Sequence, residues 1–133
     1  MGLFDKLKKA PTQKDTLETS SSLENPVTFI ENSGGCMITK SLLSGKSNLK
    51  WIFRENSVND VDNGWRALGD SDTQEYINDN KNHVVVSFNT LANLEPAVLS
   101  IFHMSIGTDL EFHYDETGRY FTDNNTGKRI KWA

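Results

Sequence analysis

Apolar side chains are nearly missing between residues 11 and 26 and then recur in short, often alternating runs from Val27 onward. That pattern predicts a polar linker followed by a folded domain. Residues 27–30 read as a short strand, Ser33, Gly34 and Gly35 as a turn, and residues 36–39 as a second strand. Residues 49–53 continue the β pattern, with Trp51 and Phe53 on the opposite face from Lys50, Ile52 and Arg54. A polar turn follows, closed by Gly64 and leading into Trp65. Asp72 and Glu75 have the spacing of a capping box, which predicts a short helix from Thr73 to about Asn78. The β-branched run of residues 84–88 reads as a central strand. Pro96 suits a first helical position, and a helix through Phe102 would end before Gly107. Residues 108–114 and 119–122, joined by a turn at 115–118, read as a closing hairpin. Hairpin-linked strands with inserted helices predict an α+β fold, a single small domain with a mainly antiparallel sheet and two short helices.

Before that domain, Leu3, Phe4 and Leu7 fall on one side of a possible short helix with Lys6, Lys8 and Lys9 around it. So short a helix is marginal in isolation, and the expectation is a flexible arm and linker over residues 1–26, with the domain at 27–133. Lys6 stands where a myristoylation motif needs Ser or Thr, so stable membrane anchoring is not expected. Residues 1–10 are too lysine-rich for a signal peptide, and no stretch is long and apolar enough to span a bilayer.

Length and composition narrow the class. A chain of 133 residues suffices for one core, and seven Phe, three Tyr and three Trp make that core feasible. The single cysteine, Cys36, has no internal partner and lies in an apolar strand context, which favours a buried thiol and a cytoplasmic, reducing location. Net charge is a mild -4, but residues 55–79 hold seven acids (Glu55, Asp60, Asp62, Asp70, Asp72, Glu75 and Asp79) against one base, Arg66. A segment so acidic argues against a nucleic-acid partner; its natural complement is a basic protein surface or a metal ion, and the plain alternative is a solvated acidic surface.

Chemistry is harder to find. Asp60, Asp62 and Gly64 suggest a calcium loop, yet with Gly64 at the sixth loop position Val61 occupies a ligand position, so an Asx-type turn is expected and no metal or other cofactor. Glu55 with Asp62 is a conceivable acid–base pair for a small hydrolase, assisted by His83, His103 or His113. No nucleophile elbow, phosphate loop or zinc spacing accompanies them, and no catalytic residue is assigned. Trp51, Arg54, Trp65 and Arg66 are of the types that dominate interfaces, while the two arginines could equally clamp Asp60 and Asp62 from inside. Trp51 and Phe53 are expected to be partly buried, and Trp65 buried beneath the acidic turn.

The ordered series Ile38-Thr39-Lys40-Ser41-Leu42-Leu43, Arg54-Glu55, Asp62-Asn63-Gly64-Trp65-Arg66, Gly69-Asp70 and Glu75-Tyr76 resembles the immunity-protein-thirty-three-like domains, formerly described only as a bacterial domain of unknown function. The resemblance runs from about Cys36 to Phe121. Members often carry a second acid and a proline after the Arg-Glu pair and a serine before the Gly-Trp, where this chain has Asn56, Ser57 and Asn63. The resemblance implies a non-enzymatic immunity protein of a polymorphic toxin system, which binds a cognate toxin and blocks it. On that reading Arg54, Glu55, Asp60, Asp62, Trp65, Arg66, Asp70 and Asp72 form the partner-binding face. A standalone regulatory or ligand-binding domain is the alternative, with a small hydrolase third. Oligomeric state is left open.

Overall fold

The computed structural model describes residues 26–131. Seven strands form one sheet: β1 (Gly35–Thr39), β2 (Leu49–Arg54), β3 (Asp62–Gly69), β4 (His83–Ser87), β5 (Asp109–Asp115), β6 (Gly118–Asp123) and β7 (Arg129–Lys131). Their spatial order is β4-β1-β3-β2-β5-β6-β7, with β1 and β3 parallel and every other pair antiparallel. Among the described residues there are three short helices, α1 (Lys40–Leu43), α2 (Gln74–Asn78) and α3 (Phe88–Leu94), the last two each followed by a 3-10 turn, at Asn80–Asn82 and Pro96–Ser100. The fold is the expected α+β domain.

Side-chain alternation along the strands gives the sheet two unlike faces. Val84, Ile38, Ala67, Ile52 and Leu110 are paired neighbours across five strands, and all are buried. Phe88, Leu91 and Ala92 of α3, with Ala97 and Val98 of the following 3-10 turn, join them in one core, as do Leu42 and Leu43 of α1. The next row over points the other way: Val85, Met37, Arg66, Phe53 and Asp109. Met37, Phe53 and Leu68 are half-buried and lie outside the core cluster. Helices α1 and α3 and the 96–100 turn therefore cover one face, while α2 and the 80–82 turn border part of the second, which is otherwise less covered.

Several local expectations need correction. The 84–88 run is not a central strand: residues 84–87 lie in β4, an edge strand that pairs only with β1, and Phe88 begins α3; Val84 and Val86 are buried by the helical layer and Val85 is not. Residues 27–30 form no strand. The amide of Asn93 holds Val27 N–H and C=O, and that of Asn89 holds Phe29 N–H and Ile30 N–H and C=O, so backbone partners come from α3. The cap of α2 is Thr73, whose Oγ1 accepts Tyr76 N–H at 3.1 Å, one residue later than the capping box predicts. Asp72 is diverted, accepting Gly69 N–H at 2.6 Å and Thr39 Oγ1–H at 2.7 Å. The helix expected from Pro96 is a short 3-10 turn. Strands β3 and β7 and helices α1 and α3 had no counterpart in the sequence reading, although Ser87 capping Asn89 N–H and the Phe88, Leu91, Ala92 spacing are helix signals. The expected arm and linker lie outside the described residues, apart from residue 26.

Candidate functional site

The loop of residues 55–61 between β2 and β3 is shaped from inside by one carboxylate. Asp62 accepts Val58 N–H on Oδ2 at 2.8 Å and Gly64 N–H on Oδ1 at 2.9 Å. Asn59 Oδ1 adds an Asx turn through Val61 N–H and Asp62 N–H at 3.0 and 3.1 Å. Gly64 has φ of +90°, and a Cβ there would overlap the Glu55 carbonyl oxygen, so only glycine fits. Asp62 also receives the guanidinium of Arg66 end-on, Nη1 to Oδ1 at 2.9 Å and Nη2 to Oδ2 at 2.8 Å. Arg66 Nε donates to Glu55 Oε2 at 2.7 Å, and Nη1 also reaches the Trp65 carbonyl.

Exposure separates the members of this triad. The side chains of Asp62 and Arg66 are 0% and 6% exposed, while that of Glu55 is 54% exposed. Burial by itself would raise the Asp62 carboxyl; the Arg66 hydrogen bonds and the Gly64 and Val58 N–H groups outweigh it and hold that carboxyl below its ordinary range. Burial would likewise lower Arg66, and its bonds to Asp62 and Glu55 raise it instead. Both groups stay charged, which makes the loop a preorganised display with Val58, Asp60 and Val61 exposed on it. Ile106, also exposed, lies beside it because Gly107 N–H bonds to Arg54 C=O.

The arginines have different roles. Arg54 touches neither Asp60 nor Asp62: its Nε donates to the Asn63 carbonyl at 2.9 Å, its Nη1 to the Met104 carbonyl at 2.6 Å, and its guanidinium lies 5.5 Å from the Trp65 ring. Trp65 is buried, as expected, with Nε1–H bonded to the Phe102 carbonyl. Asp70 is exposed and pairs with Asn48 N–H, while Asp72 ties Thr39, Ser41 and Gly69 together. Asp60 and Asp70 lie beyond opposite ends of β3, which at about 3.3 Å per residue separates them by roughly 20 Å. The eight residues expected to share one face are thus divided. Glu55 and Asp60 are surface at the loop, Asp70 is surface at the far end, and Arg54, Asp62, Trp65, Arg66 and Asp72 hold the framework.

Glu55 and Asp62 share Arg66 as their common partner. His83 Nε2 bonds the Ile77 carbonyl, and His113 stacks on Tyr120 with Nε2 at Thr122 Oγ1. Cys36 is buried, and desolvation drives its thiol far above the ordinary range, with smaller opposed effects of Arg66 and Asp62. Among the described residues no three His, Cys, Asp or Glu side chains converge as metal ligands, and no helix is long and apolar enough to cross a membrane. Sequence reasoning missed the exposed Val58, Val61 and Ile106 and the half-buried Met37 and Leu68. Only the strand register assigns those last two to the open face.

The family model described as the immunity protein Imm33 domain matches residues 36–124, more than half of the chain. No curated protein and no solved structure matches it.

Proposed function

The chain belongs to the immunity protein Imm33 domain family, and on that premise we propose that it neutralises a cognate bacterial toxin by direct protein–protein contact. The protein acts without catalysis, in the cytoplasm, and its contact surface includes the β2–β3 loop. What carries the reading beyond the family is the buried Asp62–Arg66 clamp under a loop that displays Glu55, Val58, Asp60 and Val61. A preorganised loop loses little conformational freedom on binding, which favours tight association. Carboxylates beside exposed valines suit a basic partner with apolar contacts, and the surrounding excess of acids would steer it in. Asp70, at the far end of β3, would contribute at long range through the same field.

The test is co-expression with the polypeptide encoded immediately upstream of this chain's gene. That polypeptide should arrest growth alone and be silenced by the wild-type chain, with Asp60→Lys slowing association and flattening its salt dependence. A harmless upstream product, or an isolated gene context, would favour the standalone regulatory domain instead.

A further inference from the structure

The open face of the sheet is not uniformly polar. Trp51 pairs with Leu68 across β2 and β3, and Phe53 and Met37 flank Arg66 in the adjoining row. Trp51 is 37% exposed, and Met37, Phe53 and Leu68 are half-buried yet apart from the core. Their apolar surface is thus neither core packing nor scattered exposure. Along one side, Ile77, Asn80 and His83 rise as a wall and convert the face into a groove of about 200 Å³ floored by Arg66 and Glu55. Small-molecule sites are usually larger, at roughly 300–1,000 Å³, and a groove of this size suits one large side chain of a protein.

Resting on the toxin-binding reading above, we infer that this groove is the anchor site of the interface, taking a large apolar side chain from a basic segment of the toxin. Charge selects the occupant. The walling segment presents Glu75 and Asp79 against the single cation Lys81, and Glu55 closes the end nearest the loop. A second copy of this chain would bring the same acidic rim against its own. Continuity supports the assignment as well, because Glu55 belongs both to the groove and to the displayed loop, so one partner spans the two. Met37, Phe53 and Leu68 line the groove and Trp51 borders it as the cross-strand neighbour of Leu68, so these would be the residues whose truncation matters most, surrounded by near-neutral rim contacts.

The experiment uses the full chain and the purified upstream-encoded polypeptide, with affinity and association rate measured at two salt concentrations. Trp51→Ala and Leu68→Ala are each expected to weaken binding about 30-fold or more, chiefly through faster dissociation. Asp79→Lys should slow association several-fold and reduce its salt dependence. Thermal melting of each variant separates lost contact from lost fold, and Trp51→Ala, at an exposed position, serves if Leu68→Ala unfolds. If the wild-type chain does not bind that polypeptide at all, both this inference and the proposed function are overturned. Should it bind, with Trp51→Ala and Leu68→Ala unaffected and Asp60→Lys weakened, the toxin docks on the loop alone and only the groove assignment fails. A Trp51-dependent dimer, or a shift of tryptophan emission on deleting residues 1–25 that Trp51→Ala abolishes, would give the face to a second copy or to the chain's own N-terminal segment and would equally overturn it.

Discussion

Asp62 and Arg66 lie four residues apart on one strand and still meet end-on through two parallel hydrogen bonds. In a regular strand that spacing separates the Cα atoms by about 13 Å. The register explains the contact: between Gly35 and Met37, β1 advances two residues while β3 advances four, from Asp62 to Arg66. Extra backbone is therefore gathered at Asn63, Gly64 and Trp65, where Gly64 takes its positive φ and brings Asp62 back over the guanidinium. Such a bulge redirects a side chain at the cost of ladder pairing.

Removing one partner of this pair should leave a buried charge exposed to no solvent. Asp62→Asn is expected to destabilise by about 3 kcal/mol, the lower end for a broken buried pair, because Glu55 still holds Arg66 Nε. Glu55→Gln, at an exposed position, should cost under about 1 kcal/mol. Urea midpoints of the two variants check the ranking, and equal losses would mean the clamp is not centred on Asp62.

The same pair sets an acid limit. Asp62 is held below its ordinary value of 3.8 in the folded chain, so its contribution is present above that value and is lost as pH falls through the depressed folded pKa. Arg66 stays protonated throughout. The stability gap between wild type and Asp62→Asn should accordingly shrink below about pH 4. A gap constant from neutral pH down to full acid unfolding would contradict the assignment.

Gly64→Ala tests the bulge itself. With φ of +90° and a Cβ overlapping the Glu55 carbonyl, the substitution is expected to cost about 2 kcal/mol or more. Gly107, also at positive φ but with open space around it, should tolerate alanine better. Calorimetric midpoints of the two variants decide it.

Asn89 offers a separate handle. Its amide serves Phe29 N–H, Ile30 N–H, Ile30 C=O and Ser33 Oγ. Asn89→Ala should cost about 1–3 kcal/mol and open residues 27–33 to limited proteolysis. Deleting residues 1–25, by contrast, is expected to leave the thermal midpoint nearly unchanged. A large loss on that deletion would show that those residues pack on the domain.

Elemental analysis of the purified protein should find no stoichiometric zinc or calcium, since neither the acidic loop nor the histidines have ligand spacing. One equivalent of either metal would overturn this.

Local pattern determined the α+β class, the β5–β6 hairpin, the buried Trp65 and Cys36, and the turn closed by Gly64, because each follows from alternation or turn chemistry within a few residues. The family resemblance was also legible, carried by an ordered series of short motifs. Tertiary structure alone decided the rest. Residues 84–88 look central by composition, but strand order depends on long-range pairing that composition does not encode. Seven acids close in sequence look like one patch, yet β3 carries them to opposite ends, while the bulge turns Asp62 inward and Gly69 N–H captures Asp72. Whether a charge is surface or framework is set by which partners the fold brings to it: Arg66 finds its acceptors within 11 residues, while Arg54 reaches a carbonyl 50 residues away.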